Sequence, residues 1–268
     1  MVGTLALYGR LIGVSMRAQM QYRVSFVLLT LGQFLTSTAE LDGIWALFQR
    51  FGALTPWTLP QVALFFGVVN TAFAVTDAAA RGFDLFGTLF VKTGNFDRLL
   101  LRPRSTLLQL AGHDFPLMRL GRLLQGALVL GWAMLHVDVD WTATQLLLLS
   151  VAIVATAVFF YGLVICTAVL SFWTTESLEI MNTLTYGGVE TAQYPIAIYH
   201  EYFRRFFTYV VPLACVAYFP LVAVLGIDDP LGTSRTFQML APLAGVAFFV
   251  LTLLLWRIGV RHYTSTGS

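Results

Sequence analysis

The feature that most constrains this chain is an uncharged apolar run at residues 143–170. It reads ATQLLLLSVAIVATAVFFYGLVICTAVL and contains no Asp, Glu, Lys or Arg. A hydrocarbon core of about 30 Å is crossed by about 20 helical residues, so this run can span a membrane with some tilt. Lipid offers no partner to backbone N–H and C=O groups, which favours a helix. The run therefore predicts a transmembrane helix.

Similar runs recur along the whole chain. Only 11% of the 268 residues are charged and the mean hydropathy is +0.76, whereas a soluble domain has about 25% charged residues. We predict an all-α integral membrane protein that forms one transmembrane domain over residues 1–268. Its six transmembrane helices are expected at residues 24–46, 59–80, 116–136, 143–170, 206–226 and 237–258.

An amphipathic stretch precedes the first predicted span, within residues 1–23. Apolar residues recur there at near-helical spacing, and arginines stand between them: Leu5, Arg10, Leu11, Ile12, Met16, Arg17 and Arg23. Such a helix can lie in the membrane interface with its arginines at the lipid headgroups. The alternative interpretation is that the stretch is the beginning of the first span.

The distribution of basic residues predicts the orientation. With six spans, both termini lie on one side, together with every Lys and Arg of the 16 except Arg50 and Arg235. Lys and Arg are enriched in cytoplasmic loops, so this side is predicted to be cytoplasmic. Residues 81–115 and 171–205 then form two cytoplasmic connections.

The sequence contains no catalytic or metal-binding pattern. A phosphate-binding loop requires G-x-x-x-x-G-K-[ST], but the one lysine, Lys92, follows Val91. Cys166 and Cys215 have no His or Cys neighbours at ligand spacing. We therefore expect no metal site, no enzyme activity and no ATPase of the chain's own.

The interior of the predicted spans is expected to be free of charge. Glu40 is predicted at the far, water-facing end of span 1 and Asp77 near one end of span 2, so no ion relay is expected. Mildly polar residues remain inside the spans. They line a path for an amphipathic substrate, or else they form interhelical hydrogen bonds of about 1 kcal/mol each. The candidates are Gln33, Thr36, Ser37 and Asn70.

Residues 95–103, NFDRLLLRP, combine charge and apolar surface in the first connection. Pro103 ends a short predicted helix. Apolar knobs flanked by both signs of charge suit docking into a groove of a soluble protein, because burial supplies affinity and charge fixes orientation. The competing interpretation is that the arginines bind anionic headgroups. The residues predicted to contact such a partner are Phe96, Asp97, Arg98, Leu99, Leu100, Arg102 and Pro103.

Several stretches resemble the type-2 permeases of bacterial ABC transporters. They are GNFDRLLLRPRSTLLQL at 94–110, SFW at 171–173, YPIAIY at 194–199 and the segment WRIGVRHYTSTGS at 256–268. The resemblance implies the transmembrane subunit of an exporter in the bacterial inner membrane. Two permease subunits, identical or homologous, would sit on two ATPase subunits that hold ATP and Mg, with residues 95–103 as the coupling helix.

The resemblance also raises a question about the outer side. Type-2 permeases commonly have re-entrant helices between spans 5 and 6, whereas the predicted loop here is short, although Pro212 and Pro220 could break span 5. A passive channel or an ion-coupled secondary transporter is the alternative function, and a membrane enzyme or scaffold is a third. Besides these subunits, membrane lipid is the expected partner, and no nucleic acid is expected.

Overall fold

The computed structural model describes residues 3–52, 56–174 and 178–265, and helices dominate these residues. In chain order they are α1 Thr4–Met20, α2 Arg23–Phe51, α3 Leu59–Ala79, α4 Arg81–Asp84, α5 Phe96–Leu100, α6 Thr106–Ala111, α7 Leu120–His136, α8 Ala143–Leu170, α9 Leu178–Ala192, α10 Glu201–Arg205, α11 Leu213–Val216, α12 Tyr218–Leu225, α13 Arg235–Leu240 and α14 Leu243–His262. Two π-helical turns, Phe86–Val91 and Phe206–Val210, lie between them.

Four helical segments are long and apolar enough to cross a membrane. They correspond to predicted spans 1, 2, 4 and 6 and are Arg23–Arg50, Leu59–Ala79, Ala143–Leu170 and Arg235–His262. The predicted all-helical membrane class is therefore confirmed. Helix α7 covers the third predicted span with 17 residues, and the 3-10 turn Leu117–Arg119 precedes it.

The fifth predicted span is corrected by the structure. Residues 206–226 do not form one helix, because Glu201–Val210 and Leu213–Leu225 meet at a bend of 73°. Pro212 stands at the break, where a proline has no N–H to continue the hydrogen-bond ladder. A sliding measure of hydropathy adds the two arms together and therefore reports one span.

The second predicted connection contains a helix that the sequence analysis does not predict. Helix α9 lies within residues 171–205 and packs against α3 and α8. Its Thr185 and Val189 side chains are buried. Residues 175–177 of the same connection are outside the described residues. The acidic and glycine residues of α9 lower its hydropathy, which explains why the apolar pattern missed it.

Helix α3 is the centre of the chain. It packs most extensively on α7 and also on α8 and α9, and Phe65, Phe66 and Phe73 are fully enclosed. Gly67 permits the close approach of α7, because a Cβ there would come within 2.7 Å of the Leu130 Cα atom. On α7, Gly126 acts in the same way toward Thr71 of α3, so the close contact of these two helices depends on the absence of side chains at both glycines.

Helix α1 is tied to the segment that leads into α7. The Ser15 hydroxyl donates to the Asp114 carboxylate at 2.9 Å, and the Gln19 side chain donates to the Phe115 carbonyl at 2.7 Å. This helix occupies the region of the predicted interfacial helix, whose residues 1–2 are outside the described residues. Its position at a membrane surface stays a prediction.

Candidate functional site

A band of polar side chains lies where α2, α3, α7 and the end of α9 meet. On α2 the polar positions recur at helical spacing, which places them on one side of that helix. We call this band the polar seam. It consists of Thr30, Gln33, Ser37, Glu40, Asn70, Asp77, Arg119, Arg122, Gln125 and Gln193.

The centre of the polar seam is the pair formed by Arg122 and Glu40. The Arg122 Nη2 atom lies 3.2 Å from the Glu40 Oε2 atom, and the Arg122 Nε–H donates to the Asn70 Oδ1 atom at 2.8 Å. The guanidinium carbon also lies 5.1 Å from the centroid of the Phe73 ring. Gln193 donates to Glu40 from the other side at 3.4 Å. Four helical segments are thereby joined through one charged pair.

This arrangement corrects two expectations. Glu40 lies within α2 and not at its end, level with the middle of α3, because its partner Arg122 contacts Asn70 midway along α3; its side chain is 37% exposed. The interior of the helices is therefore not free of charge. Charged groups in lipid are costly unless they are paired, so the pairing of Arg122 with Glu40 explains how both are tolerated.

A second pair lies beside the first. The Arg119 Nε atom is 2.9 Å from the Asp77 Oδ2 atom, and Arg119 Nη1 donates to the Gln33 Oε1 atom at 3.1 Å. Asp77 is near one end of α3, as the sequence predicts. The two arginines and two carboxylates balance in charge, so the polar seam carries no formal net charge.

Some polar atoms of the seam have no partner among the described residues. The Ser37 hydroxyl and both amide atoms of Gln125 are buried without a hydrogen bond in this part of the chain. An unpaired buried polar group costs about 1–3 kcal/mol. These atoms could therefore accept or donate a hydrogen bond to water or to a bound molecule.

Three of the four predicted path-lining residues lie in the seam. Gln33 and Asn70 are held by Arg119 and Arg122, and Ser37 is the unpaired one. Thr36 does not join them, because it is exposed and donates to the Gly32 carbonyl of its own helix at 2.9 Å. The sequence analysis missed the arginine partners, which lie 86 positions from Gln33 and 52 positions from Asn70.

The other candidate is the predicted coupling helix, which the structure contains as α5. Gly94, with φ of 68°, turns the chain into it from the preceding π-helical turn, a left-handed conformation that favours glycine. The Phe96 side chain is completely buried against four aromatic rings. Its ring centroid lies 4.9–6.3 Å from those of Phe86, Phe172, Trp256 and Tyr263.

The two faces of this short helix differ. Leu99 is buried with Phe96 inside the chain, whereas Leu100 and Leu101 are 43% and 85% exposed. Leu101, the most exposed of these leucines, is a residue that sequence reasoning did not select. Arg98, Arg102 and Pro103 are exposed as well. The outward surface is therefore basic and aliphatic, and the aromatic knob points inward.

Asp97 is engaged by residues beyond α14. Its Oδ2 atom accepts a hydrogen bond from the Ser265 hydroxyl at 2.6 Å. Burial raises the pKa of the neighbouring Tyr263 phenol, and the Asp97 carboxylate raises that pKa further. Tyr263 is therefore neutral at physiological pH.

Comparison with known proteins identifies the family. A family model described as ABC-2 family transporter protein matches residues 34–267, which include α3–α14 and most of the polar seam. No curated protein and no solved structure matches the chain. Members of this family are membrane subunits of ABC transporters that lack an ATPase of their own. The resemblance to type-2 permeases is thereby confirmed, and the chain belongs to the ABC-2 family of transporter proteins.

Proposed function

We propose that the chain is the permease subunit of an ATP-driven exporter for a hydrophobic or amphipathic substrate. It pairs with a second permease subunit, identical or homologous, and with two ATPase subunits that hold ATP and Mg. The observation that carries the proposal is family membership over residues 34–267, because an ABC-2 membrane protein implies an ABC ATPase partner.

In this proposal α5 is the coupling helix, and its two faces have different tasks. Phe96 and Leu99 anchor it to the membrane part, since they are buried within the chain. Arg98, Leu100 and Arg102 contact the ATPase, helped by the exposed Leu101. None of the three arginines Arg98, Arg102 and Arg104 forms an ion pair with a described residue, so their charges remain available to an acidic groove.

The six membrane crossings of the proposal differ from those predicted by the sequence. They are α2, α3, α7, α8, α9 and the α13–α14 segment. Helix α7 with 17 residues is about 25 Å long, which reaches the lower limit for a span. Helix α9, with 15 residues and a length of about 22 Å, is below that limit and is the shortest crossing of the proposal. Both termini and α5 would then face the cytoplasm of a bacterial cell.

Residues 201–225 become a re-entrant hairpin on the outer side instead of a span. The bend of 73° and two contacts support this. The Val216 carbonyl accepts a hydrogen bond from Thr156, at the middle of α8, 3.1 Å away. Beyond the bend, the Tyr218 hydroxyl donates to the Asp229 carboxylate at 2.7 Å. The bend thus lies level with the middle of α8, and the arm after it is tied to the loop that follows.

The polar seam is the proposed route for the polar part of the substrate. Ser37 and Gln125 support this, because their unpaired buried atoms need a partner that the described residues do not supply. Thr36 faces away from the seam and lies where a second permease subunit could cover it.

Reconstitution with the cognate ATPase in lipid nanodiscs tests the function. Arg98→Glu combined with Arg102→Glu should weaken ATPase association roughly tenfold or more, since charge reversal leaves like charges in the contact. Lys92→Glu is the matched control, because Lys92 is exposed nearby but lies outside α5. Wild-type association of the double variant would contradict the proposed contact.

The ion pair of the polar seam favours a second candidate function, ion-coupled transport. Intramembrane carboxylates and arginines are the usual components of proton and ion relays. Proteoliposomes that contain the chain without ATPase and an entrapped pH-sensitive dye would test this. Proton flux that Glu40→Gln removes would support the ion-coupled function, whereas ATP-dependent export unaffected by a proton gradient supports the exporter. Solute leak that needs neither source indicates a passive channel.

A further inference from the structure

We propose that the residues following α14 form a brace that positions the coupling helix, with Tyr263 and Ser265 as its positioning residues. This inference rests on the proposed function, because it concerns how α5 is presented to the ATPase. It goes beyond that function in assigning a task to a segment that the resemblance includes but gives no role.

The brace contacts α5 at two neighbouring residues in two ways. The Tyr263 ring meets the Phe96 ring edge to face, with centroids 4.9 Å apart and planes at 88°. The Ser265 hydroxyl donates to the Asp97 carboxylate at 2.6 Å, across 168 positions of the sequence. An aromatic contact and a hydrogen bond to a charged acceptor together fix both the depth and the rotation of a helix.

The brace is continuous with the last helix. The ring centroid of Trp256, in α14, lies 5.1 Å from that of Phe86 and 5.4 Å from that of Phe172. The Trp256 indole N–H donates a hydrogen bond of 3.2 Å to the hydroxyl of Thr106, which follows the coupling segment. Gly259 brings α14 against Phe172, where a Cβ would come within 2.5 Å of the ring. Helix α14 therefore contacts the chain both before α5, at Phe86, and after α5, at Thr106.

Helix α5 needs such support because of its length. Five residues between a left-handed glycine and a proline make little more than one turn, and a helix this short is not stable by itself. Its orientation must come from tertiary contacts. Because those contacts lead to α14, a displacement of α5 by the ATPase is passed directly to the last helix.

The test compares Tyr263→Ala with Tyr263→Phe in nanodiscs with the cognate ATPase. The phenylalanine variant keeps the ring contact and should behave like wild type. The alanine variant should lower stimulated ATP hydrolysis about tenfold, the change expected for losing the ring contacts of Tyr263 with Phe96 and with Phe172. Binding of the ATPase should fall much less, because the exposed arginines and leucines remain. Two further variants, one that ends after His262 and one that carries Ser265→Ala, should also lower stimulated ATP hydrolysis.

A second readout does not depend on ATPase. A spin label on Leu101→Cys, with Cys166→Ala and Cys215→Ala, reports the motion of the coupling segment. Tyr263→Ala should increase the label's mobility and Tyr263→Phe should not. Unchanged mobility and unchanged stimulation in Tyr263→Ala would overturn the brace. If Arg98→Glu with Arg102→Glu then still abolishes coupling, the brace alone has failed; if coupling also survives those changes, the proposed function of α5 has failed.

Discussion

Helices α2 and α3 are both long and apolar, yet they are held in opposite ways. In the most hydrophobic stretch of α3, 83% of the residues are buried within the chain, whereas in the corresponding stretch of α2 only 6% of the residues are buried. Helix α3 is enclosed by apolar packing on several helices. The inward side of α2 is held by polar groups around Gln33 and Glu40 and, further along, by Ile44 and Phe48, which are buried in the apolar core. Its leucines are mostly exposed, among them Leu28, Leu31 and Leu35.

The difference shows that two helices of similar hydropathy can have different roles in packing. In α3 the apolar residues bind other helices of the chain. In α2 most of them lie exposed on the outside of the chain, while Gln33 and Glu40 contact Arg119 and Arg122. Attachment through a few polar contacts can be released and remade more readily than interlocked packing, so α2 is better suited to move during transport.

The largest expected contrast comes from truncating one large apolar side chain in each helix. Phe65→Ala in α3 should lower the free energy of unfolding by about 3–5 kcal/mol, because it leaves a cavity in packed surroundings. Leu35→Ala in α2 should change it by less than about 0.5 kcal/mol, because that side chain is 57% exposed. Unfolding of both variants in the same detergent measures the contrast, and equal losses would break the comparison.

Glycine substitutions, which add a methyl group instead of removing side-chain atoms, should give a smaller contrast between the two helices. Gly67→Ala should destabilise by about 1–3 kcal/mol, since the added methyl meets the backbone of Leu130 at 2.7 Å. Gly32→Ala adds the same methyl to α2 with no atom within 4 Å, and should be neutral or stabilise by up to about 1 kcal/mol. Thermal melting followed by size-exclusion chromatography compares them. Destabilisation by Gly32→Ala would mean that α2 is packed by another subunit.

A double-mutant cycle measures the polar attachment of α2. Glu40→Gln and Arg122→Gln should be less than additive, with a coupling energy of about 1 kcal/mol in the free energy of unfolding. The partial exposure of Glu40 keeps this figure low. The control cycle pairs Glu40→Gln with Arg119→Gln and should show weaker coupling, because Arg119 is paired with Asp77. Additive effects in the first cycle would show that the ion pair does not hold α2.

The smallest expected effect concerns the unpaired hydroxyl. Ser37→Ala should raise the free energy of unfolding by up to about 1 kcal/mol, because it removes a buried hydroxyl that makes no hydrogen bond within the described residues. The control is Ser15→Ala, where a hydroxyl that bonds both Asp114 and the Phe115 N–H is lost, at about 1 kcal/mol. A loss for Ser37→Ala as large as for Ser15→Ala would indicate a bound water or ligand in the seam.

Sequence reasoning succeeds where a property is local. The uncharged run at 143–170 is α8 to the residue, and the ends of α3 and α7 agree closely with spans 2 and 3. The helix α5 also occurs where Pro103 and its charge pattern predict it. Helix length and apolar composition depend only on neighbouring residues, so they can be summed from the chain alone.

It fails where distant residues decide. Glu40 looks like a water-facing acid until Arg122 is placed beside it, 82 positions away. Phe96 looks like a docking knob until the rings of Trp256 and Tyr263 enclose it. Helix α9 is too polar to be noticed, although Thr185 and Val189 are buried where it packs on α3 and α8.

By itself, the sequence determined a multi-helix membrane protein, the position of the short helix α5 and the resemblance to type-2 permeases, because hydropathy, helix stops and short motifs are read from adjacent residues. Only the tertiary structure decided which apolar helix lies inside, how the charges of α2 and α7 neutralise each other and which face of α5 is free. Those outcomes depend on burial and pairing, and both are properties of which helices meet.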